Sequence, residues 1–129
     1  MSDSIHQEIT VDANADRIYE ALTNARHFSG FTGGAPSEID GTAGGAFSGF
    51  GGMITGRNVE LVPGRRVVQA WRAKNWPDGT YSIIRFELEA RGKATHVVFD
   101  QSGFPATAKQ DLEAGWHKMY WDPLRKYLG

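Results

Sequence analysis

The chain has 129 residues, of which 40% are hydrophobic and 22% are charged, and its formal net charge is −1 at pH 7. A chain of this length can bury about two thirds of its unfolded surface in one core, so we expect a single domain over residues 1–129. The near-zero net charge offers no general attraction to phosphate backbones or anionic lipids, which argues against nucleic-acid and membrane partners.

Cysteine is absent, which excludes disulfides, thiolate nucleophiles and zinc–thiolate sites. The first residues lack the basic and apolar segments of a signal peptide, and no apolar run is long enough to span a bilayer. These features predict a soluble, cytoplasmic protein.

The first part of the chain predicts a strand followed by helix. Apolar and polar residues alternate from Ile5 to Val11, as expected of a half-buried strand. Asn14 then stands where a helix N-cap is needed, and the apolar spacing carries that helix to about Asn24. A second short helical turn is expected over residues 27–31.

Glycine is concentrated in the next segment, where ten of the sixteen glycines lie between Gly30 and Gly56. Large apolar residues interrupt this run, which distinguishes it from a flexible linker and favours short, strongly bent strands. Gly51 and Gly52 predict a hairpin turn between two of them.

Four further strands are predicted as an antiparallel meander, because alternating segments are separated by turn-forming sequences such as Pro63-Gly64 and Arg91-Gly92. Their predicted ranges are 57–62, 67–73, 82–90 and 95–101. The whole order is strand, one or two short helices, about six antiparallel strands and a final helix, so the predicted class is α+β.

The last segment, residues 108–128, predicts one long aromatic helix with a broad apolar stripe. Such a helix must cover another apolar surface, and the sheet is the available one. Gly115 leaves side-chain volume empty within it, and Pro123 removes a backbone donor and should bend the helix. A curved sheet packed against a bent helix is a geometry that leaves a cavity between them.

Several segments in this order resemble the family named for the activator of heat-shock protein 90 ATPase, within the START-like (SRPBCC) superfamily that includes the birch-pollen allergens. They are VDANADRIYEALT at 11–23, GGAF at 44–47, GRNVELVPGRRVVQAWR at 56–72 and Gly115-Trp116. The resemblance implies a helix-grip fold, with a curved antiparallel sheet of about six to seven strands around the long C-terminal helix. It also implies a possible chaperone partner of heat-shock-protein-90 type, whose ATPase the protein would stimulate in a stress response.

An aromatic cluster gives the candidate binding site for a small hydrophobic or amphipathic molecule, held without cofactor or chemistry between helix and sheet. The alternative interpretation of the same cluster is an ordinary packed core. The predicted ligand-binding residues are Phe47, Trp71, Phe99, Trp116, Met119 and Tyr120.

The sequence gives weaker indications of metal binding, catalysis or protein binding. The four histidines have no metal-ligand spacing, so no metal site is expected. His96 or His117 could act as the acid or base of a cyclase- or hydrolase-like enzyme. Exposed Trp76 or Trp121, or the basic end of the last helix, could instead anchor a protein partner.

Overall fold

The structure is a computed structural model that describes residues 4–128. Seven strands form one antiparallel sheet, in the neighbour order β1-β7-β6-β5-β4-β3-β2. The predicted meander is therefore confirmed, with the N-terminal strand added beside the last one. The strands are β1 Ser4–Val11, β2 Glu38–Ile39, β3 Ala46–Gly49, β4 Ile54–Val62, β5 Arg66–Ala73, β6 Ser82–Arg91 and β7 Ala94–Ser102.

Two short helices follow β1, namely α1 (Ala15–Thr23) and α2 (Ala25–Phe31). The predicted cap is confirmed, since the Asn14 side chain accepts a hydrogen bond of 2.9 Å from the backbone N–H of Arg17. Asn24 ends α1 and caps α2 in the same manner. Asparagine suits both positions because its side-chain oxygen satisfies helix N–H groups that have no partner within the helix.

Alternation along the central strands separates the two faces of the sheet. On β6, Ile84, Phe86 and Leu88 are buried against the helix layer, while the residues between them turn outward. The same alternation buries Val97 and Phe99 on β7. Burial of apolar area on this inner face is the main source of the fold's stability.

The hairpin that joins β3 to β4 turns at the predicted glycines. Gly51 and Gly52 adopt positive φ angles of 66° and 95°, a backbone conformation that costs glycine little. Phe50 also has a positive φ of 51°. This turn carries the Phe50 ring to 5.8 Å from that of Tyr120, between the sheet edge and the terminal helix.

A continuous helical segment ends the described chain, which confirms the predicted long helix. It begins with a tight turn at Ala106–Ala108 and continues as α3 (Lys109–Gly115), a wide π-helical turn (Trp116–Trp121) and α4 (Asp122–Leu128). We call Lys109 to Leu128 the terminal helix. None of the helices among residues 4–128 has the length and apolar character required to cross a membrane.

The π-helical turn corrects one expectation. A regular α-helix would place Trp121 opposite the apolar stripe, but the wide turn rotates it back toward the sheet, where it is fully buried. Asp122 donates its N–H to the carbonyl of His117, five residues earlier. The wide turn ends just before Pro123, which has no N–H to donate.

Candidate functional site

A cavity of about 260 Å³ lies between the terminal helix and the part of the sheet formed by β4 and β5. Apolar side chains form nearly all of its wall, and within residues 4–128 Asp111 is the one charged residue that lines it. An apolar cleft with few polar groups is the usual form of a small-molecule site. The lining residues are Phe50, Met53, Ile54, Trp71, Ala73, Asp111, Leu112, Gly115, Trp116, Met119 and Tyr120.

Four of the six predicted ligand-binding residues lie in this wall: Trp71, Trp116, Met119 and Tyr120. The other two are buried but lie outside it. Phe99 is behind Trp116, with ring centroids 4.3 Å apart. Phe47 packs against Gly56 on the neighbouring strand and borders a separate surface groove.

Gly115 has an ordinary helical conformation, with φ −64° and ψ −37°. Glycine at such a position destabilises a helix by roughly 1 kcal/mol relative to alanine. A Cβ added there would meet no atom within 4 Å. Close packing therefore does not require glycine here, and the missing side chain adds to the open volume of the cavity.

A buried chain of hydrogen bonds holds Trp116 in the cavity wall. Its indole N–H donates to Gln101 Oε1 at 2.8 Å, and Gln101 Nε2 donates to Ser82 Oγ at 3.0 Å. The Ser82 hydroxyl in turn donates to the carbonyl oxygen of Trp71 at 2.8 Å. Because these polar groups are paired away from water, the network fixes the orientation of the Trp116 ring.

Trp71 and Tyr120 carry the polar groups of the inner wall, and their side chains are buried. Burial raises the pKa of Tyr120 far above its ordinary value, so its hydroxyl stays protonated at every physiological pH. The nearby Trp71 indole offsets part of this rise in pKa. The geometry nevertheless falls short of a hydrogen bond, and within residues 4–128 Trp71 Nε1 has no partner.

Two flexible methionines lie at the mouth of the cavity. Met53 is 57% exposed and Met119 is 42% exposed, so both present apolar surface to solvent beside the cavity. Methionine adapts its shape readily and is common on surfaces that accept varied ligands. Met53, Phe50 and Ile54 were not among the predicted site residues. Their position follows from the fold of the glycine-containing hairpin, which single-sequence periodicity does not reveal.

The chain is similar to proteins of one known family. The model of the family described as "Activator of Hsp90 ATPase homolog 1-like protein" matches residues 12–129. The chain belongs to this family.

Relatives within the family are longer proteins. The human activator of 90 kDa heat shock protein ATPase homolog 1 is 26% identical over 114 residues, which are 88% of this chain and 33% of that protein. The Dictyostelium discoideum homolog is 32% identical over 108 residues, 83% of this chain and 28% of that one. The chain thus spans about a third of the length of the curated relatives it matches.

The fold is also shared with solved structures. An HSP90 activator from Plasmodium falciparum superposes with a TM-score of 0.92 at 22% identity, covering 98% of this chain and 96% of that one. At this identity the likeness concerns the helix-grip fold alone. It confirms the predicted START-like architecture of a curved sheet around a C-terminal helix.

Two tryptophans expected at the surface of this family member are instead buried. Trp76 packs edge-on against Trp71, with ring centroids 5.6 Å apart, because the loop after β5 folds back and Arg72 donates to the Trp76 carbonyl oxygen. Trp121 is in the core and donates its indole N–H to Gln7 Oε1 at 2.7 Å. The expectation that either is an exposed protein anchor was wrong.

Neither histidine considered for catalysis lines the cavity. His96 alternates with the inward residues of β7, lies on the outer face of the sheet and contacts Glu8 Oε1 at 2.8 Å. His117 is exposed on the terminal helix. The geometry therefore does not support an enzymatic role for His96 or His117 at the cavity.

The outer face carries a pH-sensitive cluster built from His6, Glu8, Asp100 and Arg85. His6 Nδ1 lies 2.7 Å from Asp100 Oδ1 and its Nε2 lies 2.7 Å from Glu8 Oε2. These hydrogen bonds raise the pKa of His6, and the bond to His6 lowers the pKa of Glu8. Burial alone would raise the pKa of Asp100, but hydrogen bonds from His6 and Arg85 outweigh it and lower that pKa.

We expect this cluster to make the free energy of unfolding depend on pH. Because the folded pKa of His6 is raised, its contribution is complete below its unfolded value of about 6.5 and is lost as pH rises through the folded value. The pKa values of the Glu8 and Asp100 carboxylates are lowered, so their contribution to stability is instead lost as pH falls below about 4. Stability from the cluster should thus be greatest near pH 5–6 and decline toward pH 8.

Urea unfolding of wild type and His6→Gln at several pH values measures this dependence. The variant should lose less stability than wild type between pH 6 and pH 8. His117→Gln is the matched control and should follow the wild-type curve, since His117 lies on the opposite side of the sheet. Parallel curves for wild type and His6→Gln over this range would contradict the assignment.

Proposed function

We propose that this protein binds a small, largely apolar molecule in the cavity between its terminal helix and its sheet, without catalysing a reaction. The observation that carries the proposal is the open apolar cavity of about 260 Å³ with Gly115 in its wall. A packed core would gain stability by filling that space, through added contacts and through better helix propensity. A glycine retained there is consistent with a volume kept free for a ligand.

The size of the cavity limits the ligand. An engineered cavity of about 150 Å³ accommodates benzene, so 260 Å³ corresponds to a body of roughly ten non-hydrogen atoms. The exposed methionines at the mouth allow part of a longer molecule to extend outward. The ligand class that fits is a compact bicyclic or branched apolar molecule, or the apolar end of an amphipathic one.

The test is to fill the cavity without removing a core side chain. Gly115→Leu should exclude the ligand, while gaining about 1 kcal/mol of stability from helix propensity. Native mass spectrometry of the protein purified from its own source would show a bound small molecule on wild type and none on Gly115→Leu. A retained ligand should also raise the melting temperature of wild type alone.

Ala114→Leu is the matched control, because Ala114 is exposed on the same helix and does not line the cavity. It should retain the ligand as wild type does. Equal ligand occupancy in Gly115→Leu and wild type would contradict the assigned cavity. Wild type that carries no small molecule, and that no member of a small apolar ligand panel stabilises, would contradict the binding function itself.

A second candidate is contact with an Hsp90-type chaperone and stimulation of its ATPase. It is favoured by the family match and by relatives named as activators of that ATPase. The two functions are compatible, since the exposed Met53 and Met119 at the cavity mouth could be covered by a ligand's protruding end or by a chaperone surface.

Steady-state ATPase assays of the chaperone from the same source test this second function. Saturating protein should raise the turnover, and Met53→Ser/Met119→Ser should lower that stimulation if the cavity mouth is the contact surface. Unchanged turnover, together with no complex in analytical ultracentrifugation, would remove the chaperone function from consideration.

A further inference from the structure

The inner wall of the cavity contains a buried donor that has no partner within residues 4–128. Trp71 Nε1 is buried and has no hydrogen-bond partner within residues 4–128. Leaving a buried donor unpaired costs about 1–3 kcal/mol, which is why such groups are rare in folded proteins. In contrast, the indoles of Trp116 and Trp121 donate to Gln101 and Gln7.

The Tyr120 hydroxyl lies beside this indole at the same wall. A hydroxyl can accept from a neighbouring N–H and still donate its own proton, whereas an indole nitrogen can only donate. Because the Trp71 indole cannot accept a hydrogen bond, the proton of Tyr120 needs an acceptor elsewhere. The space available to it is the cavity, which both side chains line.

We propose that the ligand is an uncharged molecule carrying a ketone- or ester-type oxygen, which accepts a hydrogen bond from the Tyr120 hydroxyl beside Trp71. This inference rests on the proposed binding function and specifies the chemistry of the ligand. A purely hydrocarbon ligand would leave the Tyr120 hydroxyl without an acceptor in the cavity.

Charge argues for an uncharged acceptor rather than a carboxylate. Among the described residues, no lysine or arginine lines the cavity, and the one charged residue that does, Asp111, is acidic. A buried anion without a cationic partner is strongly unfavourable, and a nearby carboxylate would repel it. Tyr120 remains a protonated donor because its pKa is raised by burial.

Two probes of equal size test the proposal, each with about ten non-hydrogen atoms to match the cavity. 1-Indanone carries the ketone oxygen, and 1-methylindane replaces it with a methyl group. Titrations of ¹⁵N-labelled protein, followed through assigned indole N–H resonances, give both affinities. 1-Indanone should shift the Trp71 indole resonance strongly, while 1-methylindane should shift it little.

The variant Tyr120→Phe removes only the hydroxyl. It should weaken 1-indanone binding about five- to tenfold, the value of one neutral hydrogen bond, and leave 1-methylindane within about twofold of wild type. Tyr127→Phe is the matched control. Tyr127 is on the same helix but outside the cavity, and its hydroxyl bonds to His27 Nδ1.

Failure of the acceptor proposal and failure of cavity binding would give different results in these titrations. If Tyr120→Phe weakens both probes equally or neither, and the Trp71 resonance does not distinguish them, the acceptor proposal is overturned while cavity binding stands. If neither probe binds wild type at low millimolar concentration, both the acceptor proposal and the binding function are overturned.

Discussion

Replacing Trp116 with alanine is expected to lower the free energy of unfolding by about 3–5 kcal/mol. The ring is buried at the centre of the helix–sheet interface, with centroids 4.3 Å from Phe99 and 4.4 Å from Tyr120. Its removal joins a new void to the existing cavity. It also leaves Gln101 Oε1 without its donor, which adds the cost of an unpaired buried acceptor.

Equilibrium unfolding in guanidinium chloride measures the effect, with the midpoint and slope compared between variants. Met119→Ala is the control, because Met119 lines the same cavity but is 42% exposed; we expect a loss below about 1 kcal/mol. Similar losses for both variants would contradict the distinction between Trp116 as core and Met119 as rim. A marginal domain that loses 3–5 kcal/mol is close to unfolding, so Trp116→Ala is a poor probe of ligand binding.

The elements of this fold could be predicted where local signals are strong. Asn14 marks the start of α1, the alternation around Ile84 and Phe86 marks a half-buried strand, and Gly51-Gly52 marks the hairpin. In each case one physical requirement acts within a few residues: a helix cap, a period of two, or a positive φ.

The wide turn at the centre of the terminal helix could not be predicted in this way. Regular α-helical spacing places Trp121 outward, whereas the π-helical turn stacks it near Trp116, with rings 6.0 Å apart and 27° between their planes. Pro123 signals a disturbed helix but does not specify its geometry, since bending and local widening both accommodate a missing donor. In the structure the helix widens, and the widened turn contains three buried aromatic side chains, those of Trp116, Tyr120 and Trp121.

The candidate site could be predicted only in part, for a similar reason. The aromatic residues of the terminal helix and Trp71 follow from spacing on single elements. Phe50 and Met53 reach the cavity because the hairpin folds over it, whereas Phe47 packs beside Gly56 and lies outside the cavity wall. Contacts between strands determine which aromatic side chains line a cavity. The periodicity of a single sequence does not reveal those contacts.

Gly56→Ala is expected to destabilise the protein by about 2–3 kcal/mol, although glycine to alanine within a strand ordinarily helps. Gly56 lies opposite Trp71 in the β4–β5 ladder and opposite Phe47 in the β3–β4 ladder. A Cβ there would overlap the Ala70 carbonyl oxygen and approach Phe47 Cε1 to 2.8 Å. The ring can shift only by disturbing its own packing, and the carbonyl belongs to the sheet backbone.

The substitution of glycine by alanine at Gly115 should instead raise the free energy of unfolding. Gly115→Ala meets open space in a helical conformation, so it should stabilise the protein by up to about 1 kcal/mol. Thermal and urea unfolding of the two variants side by side compares a glycine required by contact with a glycine that leaves a cavity open. Destabilisation at both positions would mean that the fold already fills the space beside Gly115, which would leave no room there for a ligand.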